Sequence, residues 1–210
     1  MELAGFDAAL ARESGADCII GVDEVGRGPL AGPVVACACW IPPESAALLK
    51  GVDDSKKLSP ARREKLFELI RESGARYSAA FVSSAEVDRI NILNATFMAM
   101  KAAIAGINPG ALSLIAVDGN QLIPGLAFRQ KAIVQGDGKS QAIAAASIVA
   151  KVLRDRRMQY LDFKHPGYLF AGHKGYGSAQ HYERLRELGP CPEHRMTFLK
   201  NFLAENEPAR

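Results

Sequence analysis

The chain is poor in cysteine and has no long apolar run, and these two absences exclude several classes of protein. Its 210 residues include only four cysteines, at positions 18, 37, 39 and 191, and their spacing does not match a zinc site. Three of them fall in predicted strands, so we expect buried, reduced thiols. The apolar stretches reach only the length of a strand, and the acidic start of the chain is unlike a secretory signal. We therefore expect a cytoplasmic protein with no membrane span.

A strong net charge is also missing. The formal net charge is +3, which is too small to indicate a polyanionic partner by itself. The distribution is uneven, because residues 1–150 carry 15 basic and 16 acidic side chains, whereas residues 151–200 carry 10 basic and 5 acidic ones together with His165, His173 and His181. This asymmetry favours a nucleic-acid-binding face near the C-terminal end, although a solvated helix surface accounts for it equally well.

The chain has no internal repeat and no low-complexity linker, and its length suits one domain with a full core. Apolar and β-branched runs predict an antiparallel meander of three strands, followed by strands that end at Asp118 and near Gln135. Capping residues and helical spacing predict the helices. The meander strands are 18–25, 33–41 and 76–82, and the predicted helices are 61–73, 83–105, 139–163 and 179–188. Strands followed by alternating strands and helices indicate an α/β sheet.

Four carboxylates stand where predicted elements end or begin. Asp23 and Glu24 close an apolar strand and precede Gly26-Arg27-Gly28, Asp118 closes another strand, and Asp137 precedes the long helix. Neighbouring residues of a strand face opposite sides, so Asp23 and Glu24 reach one site only if the strand twists or ends there, and Gly26 and Gly28 supply that ending. Hard divalent cations such as Mg²⁺ and Mn²⁺ bind carboxylate oxygens and substrate phosphates together. The four acids therefore predict a two-metal site.

Each of these acids also has a simpler interpretation. The pair Asp23-Glu24 is a solvated strand end, Asp118 followed by Gly119 is a common turn, and Asp137 supplies negative charge to a helix N-terminus. The coincidence of all four in one chain favours the joint interpretation over the separate ones.

The acids belong to six short motifs that occur in a fixed order along the chain. The motifs are DEVGRGPLAGPV at residues 23–34, DSKKLS at 54–59, VDG at 117–119, GD at 136–137, AAASIVAK at 144–151 and KGYG at 174–177. In this order they resemble the motif series of bacterial ribonuclease HII, a type 2 ribonuclease H, and the resemblance extends from about Asp17 to His194. Any single motif is weak, whereas six in the family's order are typical of a member.

The resemblance implies a ribonuclease H-like α/β fold, with a five-stranded mixed sheet flanked by helices. It implies a catalytic domain at residues 1–163 and a C-terminal helical extension at 164–210, packed together as one unit. The implied activity is cleavage of the RNA strand of RNA/DNA hybrids and nicking of duplex DNA on the 5′ side of an embedded ribonucleotide, which leaves 3′-hydroxyl and 5′-phosphate ends. The implied role is removal of ribonucleotides from DNA.

The resemblance also assigns the acids. It implies that Asp23, Glu24 and Asp118 bind two Mg²⁺ or Mn²⁺ ions and that Asp137 completes the catalytic set. In a site of this kind the ions lie about 4 Å apart, one activating the attacking water and the other stabilising the leaving oxygen. Asp23 is our candidate for the ligand shared by both ions. The choice between magnesium and manganese stays open.

Gly26-Arg27-Gly28 and Tyr176 are the predicted ribose-recognition elements. Glycines let backbone groups approach the ribose and hydrogen-bond its 2′-hydroxyl. The flanking Gly175 and Gly177 leave the Tyr176 ring free to pack on a sugar or a base. The alternatives are a plain tight turn and a core tyrosine.

Five polar side chains are weaker candidates for phosphate contacts. Ser147, Lys151 and Arg154 recur at helical spacing, although a solvated helix face explains them almost equally well. The other two are Lys56 and Lys57, in the second motif.

Other functions compete with this one. Ribonuclease HIII shares the fold but usually has an additional N-terminal substrate-binding domain and lacks the Gly-Arg-Gly form of the first motif. Only about 17 residues precede the first strand here, so we expect no such domain. A non-catalytic nucleic-acid-binding module needs no converging acids, and a phosphotransferase would need a Gly-x-x-x-x-Gly-Lys-Ser/Thr loop, which is missing. We expect a monomer that acts on RNA/DNA hybrid and on ribonucleotide-containing duplex DNA; residues 196–210 show no partner-binding pattern that we recognise.

Overall fold

A computed structural model of the protein describes residues 3–52 and 58–206. Its centre is a five-stranded sheet in the order β3-β2-β1-β4-β5. The strands are β1 Cys18–Val25, β2 Val34–Trp40, β3 Arg76–Val82, β4 Ser113–Asp118 and β5 Arg129–Ile133. Strands β1, β2 and β3 are antiparallel neighbours, whereas β1, β4 and β5 are parallel neighbours. The predicted mixed sheet and its antiparallel meander are confirmed.

Eight α-helices accompany the sheet in the described part of the chain. They are α1 Leu3–Ser14, α2 Pro60–Glu72, α3 Ser84–Ile90, α4 Ile92–Ile107, α5 Gln141–Lys164, α6 Phe170–His173, α7 Ala179–Leu188 and α8 Lys200–Glu205. Serine side chains begin α2, α5 and α7, because Ser59, Ser140 and Ser178 each accept a hydrogen bond from an amide of the first turn. These three helices confirm their predictions to within two residues. Helices α1, α6 and α8 have no counterpart among the predicted ones.

The single helix predicted over 83–105 is wrong, because the chain turns sharply at Asn91. Asn91 has φ 65° and ψ 164°, which ends α3. Its side chain accepts a hydrogen bond from the amide of Asn94 and so begins α4. The two helices are bent by 119°. Taken together they have the length and composition of a membrane span, but no single helix within residues 3–52 and 58–206 does.

The sheet lies between α4 and α5, and its contact with α5 positions the start of that helix. Helix α4 covers the face that carries Ile20 and Val22 of β1. Gly21 lies on the other face, where a Cβ atom would overlap the backbone of Ala142 and Ile143. The first turn of α5 therefore rests directly on β1, two residues before the first predicted acid.

All four cysteines lie within the described residues, and they form no disulfide there. Cys37 and Cys39 are fully buried in the core. Burial raises the pKa of the Cys39 thiol to about 12. A thiol in such a setting stays protonated and unreactive at neutral pH.

Candidate active site

The parallel pairing of β1 and β4 brings two of the predicted acids side by side. Val22 pairs with Val117 in this register, so the next residues, Asp23 and Asp118, stand at neighbouring positions near the ends of their strands. Ala116, two residues before Asp118, packs in the cluster formed with α5. Because side chains alternate along a strand, Asp118 points to that same face.

Asp137 lies on a short 3₁₀ turn, Gly136–Gly138, between β5 and α5. The amide of Gly136 donates a hydrogen bond of 2.6 Å to Oδ1 of Asp118, which ties this turn to the end of β4. A Cβ atom on Gly136 would lie 2.6 Å from Cδ1 of Ile143 and 3.1 Å from Oδ1 of Asp118. Glycine therefore permits the close approach of the two segments that carry Asp118 and Asp137.

Glu24 approaches this edge from the other face of the sheet. Strand β1 ends at Val25, directly before Gly26, as predicted. Glu24 faces α4 while Asp23 faces α5. The Glu24 side chain is 16% exposed, and its Oε1 lies 3.3 Å from Nη1 of Arg27. Together with Asp118 and residues 119–121, it lines a cleft of about 310 Å³ below α4.

Burial, together with neighbouring negative charges, raises the pKa of Asp23 and of Glu24. Asp23 is 5% exposed, and burial raises its pKa well above the usual value, with further increases from the charges of Glu24 and Asp118. Hydrogen bonds from Ser147 and from the Glu24 amide act in the opposite direction. Burial also raises the pKa of Glu24, against the opposing charge of Arg27. The three carboxylates form one cluster of interacting negative charges, which a cation would stabilise.

The donor set fits hard divalent cations, although each side chain has another partner. Carboxylate oxygens are the ligands that Mg²⁺ and Mn²⁺ prefer. As the side chains stand, no three acidic, histidine or cysteine groups in the described parts of the chain converge closely enough to hold an ion. Asp23 accepts a bond of 2.7 Å from the Glu24 amide, and Glu24 pairs with Arg27. Asp118 accepts from the Gly136 amide. Ion binding would require these side chains to move closer together.

The Gly26-Arg27-Gly28 loop follows the first two acids, and its glycines have different surroundings. Gly26 has φ 92°, and a Cβ atom there would overlap the Arg154 side chain and lie 2.7 Å from the carbonyl oxygen of Pro33. The fold itself therefore requires glycine at this position. A Cβ atom on Gly28 would have no neighbour closer than Cε1 of Tyr176, at 3.8 Å. Tyr176 is 46% exposed, so its ring and Gly28 form one open surface.

This combination of acids and loop has a match among known protein families. The family model of ribonuclease HII matches residues 20–201, which include all four acids and the loop. The chain belongs to the ribonuclease HII family. It is 52% identical over 186 residues to ribonuclease HII of Caldicellulosiruptor bescii, covering 89% of this chain and 88% of that protein. It is 50% identical over 193 residues to ribonuclease HII of Syntrophotalea carbinolica, covering 92% and 90% respectively.

A solved structure gives the same answer for the fold. The crystal structure of ribonuclease H2 from Pyrococcus horikoshii OT3 matches with a TM-score of 0.74 at 27% identity, covering 91% of this chain and 100% of that chain. The resemblance carried by the six motifs and the ribonuclease H-like fold are therefore confirmed. The protein is an enzyme, a ribonuclease H, rather than a non-catalytic binding module, and its family is ribonuclease HII rather than the alternative ribonuclease HIII.

The three polar residues of α5 that were candidates for phosphate contacts differ in burial and in their partners. Ser147 is buried and hydrogen-bonds Asp23, so it supports an acid instead of facing solvent. Lys151 is partly exposed, and its Nζ lies 2.7 Å from Oδ1 of Asp155. Arg154 is fully buried, so the expectation that it belongs to a stripe aimed at phosphates is wrong. The candidates Lys56 and Lys57 lie outside the described residues.

Sequence reasoning did not single out Arg195, His181 and His194. Arg195 is fully buried and donates to carbonyls of the Gly26-Arg27-Gly28 loop. Nδ1 of His181 lies 2.9 Å from the Tyr176 carbonyl oxygen, and its Nε2 lies 3.0 Å from Nε2 of His194. Burial lowers the pKa of both histidines to about 4, so neither adds positive charge at neutral pH. Their only sequence signal was the basic and histidine content of the C-terminal segment, in which His181 was counted.

Proposed function

We propose that this ribonuclease HII cleaves the RNA strand of RNA/DNA hybrids and nicks duplex DNA on the 5′ side of an embedded ribonucleotide, leaving 3′-hydroxyl and 5′-phosphate ends. One observation carries the proposal: a cluster of interacting carboxylates at the ends of β1 and β4 continues into an open surface of loop and tyrosine. The acids suit metal-dependent phosphodiester hydrolysis, and the loop suits a ribose. The enzyme would act as a cytoplasmic monomer in removing ribonucleotides from DNA.

Asp23, Glu24, Asp118 and Asp137 would hold two divalent ions, Mg²⁺ or Mn²⁺. When bound, the ions would supply activation of the attacking water and stabilisation of the leaving oxygen. Asp23 suits the shared position, because its carboxylate interacts with the charges of both Glu24 and Asp118. The chain itself contributes orientation, since Ser147 hydrogen-bonds Asp23 and a backbone amide holds Asp118.

The Gly26-Arg27-Gly28 loop would recognise the 2′-hydroxyl through its backbone, with the Tyr176 ring against the adjoining sugar. The amides of Arg27 and Gly28 donate to no group in residues 3–52 and 58–206, which leaves them available to a substrate. The open space between Gly28 and Tyr176 supports the same assignment. The 2′-hydroxyl is the group that distinguishes RNA from DNA at a given position.

Phosphate binding is the least defined part of the proposal. Partial exposure of Lys151, one helical turn beyond Ser147, supports a phosphate contact for that lysine. Lys56 and Lys57 are proposed on their place in the second motif alone. The division into a catalytic domain at 1–163 and a C-terminal extension at 164–210 likewise stays a proposal, and it would put Tyr176 on the extension.

The proposal is tested with a DNA duplex that carries a single ribonucleotide, incubated with Mg²⁺, with Mn²⁺ or with a chelator, followed by mapping of the product ends. We expect one nick on the 5′ side of the ribonucleotide, and only when metal is present. A continuous RNA/DNA hybrid should be cut at many positions. The matched all-DNA duplex is the control and should stay intact. Cleavage of that control, or cleavage in the presence of the chelator, would contradict the proposal.

A further inference from the structure

Two arginine side chains lie buried beside the ribose-recognition loop without a carboxylate partner. Arg154 and Arg195 are fully buried, and within the described residues their guanidinium groups donate only to backbone carbonyls. Burial lowers the pKa of both groups, to about 10 for Arg195. The charges of Asp155 and Asp88 act against this shift at Arg154 and Arg195 respectively. Burying two neighbouring positive charges is costly, and the carbonyls that each guanidinium binds distinguish the two residues.

The planar guanidinium of Arg195 holds three carbonyls of the loop between β1 and β2. Its Nη2 donates to Gly26 over 2.6 Å and to Gly32 over 2.8 Å, and its Nε donates to Gly32 over 3.1 Å. Its Nη1 donates to Arg27 over 2.9 Å. A guanidinium has five N–H donors in one plane and can bind several carbonyl oxygens at once. The ammonium group of lysine cannot bind the same set of carbonyls in this geometry.

These contacts determine where the amides of the loop point. In a trans peptide, the carbonyl and the N–H of the following residue point in opposite directions, and no cis peptide occurs in the described residues. The carbonyls of Gly26 and Arg27 point inward to Arg195, so the amides of Arg27 and Gly28 point outward. These are the same two amides that have no partner in the described parts of the chain.

The C-terminal segment brings Arg195 to the loop by backbone pairing. The amide of Arg195 donates to the Leu30 carbonyl over 2.8 Å, and the amide of Gly32 donates to the Glu193 carbonyl over 2.8 Å. Asp88, on α3, accepts bonds of 2.7 and 3.0 Å from the amides of the next two residues, 196 and 197. Hydrogen bonds therefore hold the backbone on both sides of Arg195, and this places its side chain against the loop.

We propose that Arg195 is a positioning residue for ribose recognition, which holds the Arg27 and Gly28 amides toward the 2′-hydroxyl by binding the Gly26 and Arg27 carbonyls. The inference rests on the proposed function and adds a residue to it. Arg195 acts through the loop and does not touch the substrate. Arg154 also packs against Gly26, but its guanidinium donates to three other carbonyls, those of Ala31, Pro33 and Lys174, and so does not orient the Arg27 and Gly28 amides.

The two arginines provide a matched test. Arg195→Lys keeps the charge and loses the planar guanidinium, and Arg154→Lys makes the same change at an equally buried site. The readout is the ratio of dissociation constants for a DNA duplex with one ribonucleotide and the same duplex without it, measured with Ca²⁺ in place of Mg²⁺ to separate binding from cleavage. We expect Arg195→Lys to reduce the preference about tenfold, equivalent to about 1.4 kcal/mol. Arg154→Lys should change it less than about twofold.

The outcomes separate positioning from a merely structural role. A structural role predicts similar losses of thermal stability in both variants and an unchanged preference in Arg195→Lys, and that result would overturn the inference. A wild-type protein without any binding preference would overturn the inference, whereas the proposed function fails separately, if the wild type does not nick the single-ribonucleotide duplex with Mg²⁺ or Mn²⁺. If Arg195→Lys does not fold, Asp88→Ala is the variant that tests the inference. Asp88 is partly exposed, and its carboxylate holds the residues next to Arg195 in place. A reduced preference in Asp88→Ala supports the inference, and an unchanged one refutes it.

Discussion

The two parts of the candidate site are held in place by different kinds of contact. Strand register puts Asp23 next to Asp118, and α5 rests on the same strand through its backbone contact at Gly21. The ribose-recognition loop depends instead on the side chain of Arg195, which reaches Gly26 from 169 positions further along the chain. The acids are thus supported by the whole core, whereas the loop is supported by a few hydrogen bonds. Substitutions of the acids should therefore lower the cleavage rate without lowering stability. Substitutions in the loop should show which of its residues are needed for folding and which for ribose recognition.

Replacing Asp23 or Asp118 with asparagine should have the largest effect. Each substitution preserves side-chain volume and removes a charge that would bind metal, so we expect cleavage to fall more than about a hundredfold, a barrier increase of ~2.7 kcal/mol. The free energy of unfolding should stay the same or rise, because the clustered carboxylates repel one another without metal. Cleavage of the single-ribonucleotide duplex and urea unfolding provide the two measurements.

Asp17→Asn is the matched control for these variants. Asp17 is exposed and lies just before the opposite end of β1, so its substitution should leave the cleavage rate unchanged. A variant at Asp23 or Asp118 that keeps more than about a tenth of the wild-type rate at saturating metal, a loss below ~1.4 kcal/mol, would remove that residue from the catalytic set.

The next effect concerns the ring of Tyr176. Its carbonyl is held by the amide of Ser178 and lies within hydrogen-bond distance of His181, so Tyr176→Ala should remove the ring and preserve the backbone. Stacking of a ring on nucleic acid contributes about 1–3 kcal/mol. We therefore expect roughly a tenfold to hundredfold loss of kcat/KM on the single-ribonucleotide duplex. The loss should be smaller on a continuous hybrid, which offers many registers and 2′-hydroxyl groups.

Two further variants sharpen the Tyr176 result. Tyr176→Phe keeps the ring and should retain most of the activity. Tyr160→Ala removes another exposed tyrosine, on α5, and should not change the ratio of rates on the two substrates. Equal losses from Tyr176→Ala on the single-ribonucleotide duplex and on the hybrid would show that this ring contributes general packing and no ribose recognition.

The two glycines of the loop should separate folding from recognition. A methyl group fits at Gly28, so Gly28→Ala should change the free energy of unfolding by less than about 0.5 kcal/mol and lower kcat/KM about tenfold on both substrates by obstructing the approach of the ribose. Gly26→Ala should destabilise the protein by about 2 kcal/mol, because the new methyl group would overlap Arg154 at a positive φ. Urea unfolding and cleavage assays on both variants make the comparison. A fully active Gly28→Ala enzyme would contradict the assigned role of the loop.

The acids could be predicted from the sequence because apolar runs that end in carboxylates mark the ends of buried strands. That they share one site was inferred from the coincidence of four acids at element ends and from the resemblance, and the parallel pairing of β1 with β4 brings Asp23 beside Asp118. The present partners of Asp23 and Glu24 could not be predicted, since no local pattern indicates that Asp23 accepts from the Glu24 amide while Glu24 pairs with Arg27. The break at Asn91 was also hidden, because apolar spacing continues through it and only the left-handed backbone conformation of that residue ends α3.

The support of the loop could not be predicted, because no local pattern encodes a contact between residues so far apart. In the sequence, Arg195 contributed only to the excess of basic residues at positions 151–200, which favoured a nucleic-acid-binding face there. In the fold, Arg154 and Arg195 are buried, and Lys151 is paired with Asp155. Charge counts along the chain therefore overstated the basic surface, since they do not distinguish a guanidinium facing solvent from one that binds carbonyls.

The smallest expected effect is a pH dependence of stability from the histidines behind Tyr176. His181 and His194 are buried, and burial lowers the pKa of each from 6.5 to about 4. Nδ1 of His194 lies 2.9 Å from the Cys191 amide and 3.2 Å from the Cys191 carbonyl oxygen. The two Nε2 atoms lie 3.0 Å apart, so their N–H groups would face each other if both rings were protonated. The unfolded chain therefore binds more protons below about pH 6.5, and stability present above that pH is lost as the pH falls toward 4.

We expect the free energy of unfolding to fall by about 0.8 kcal/mol for each of these histidines between about pH 7.5 and about pH 6. Asp23 and Glu24 act in the opposite direction, since burial raises the pKa of both, so the informative quantity is a difference between two proteins that share these acids. His194→Gln removes one titrating group, so its loss between the two pH values should be about 0.8 kcal/mol smaller than that of the wild type, whatever its absolute stability. Urea unfolding of both proteins at the two pH values measures this difference. An equal loss in the two proteins would mean that the pair does not make this part of the molecule sensitive to acid.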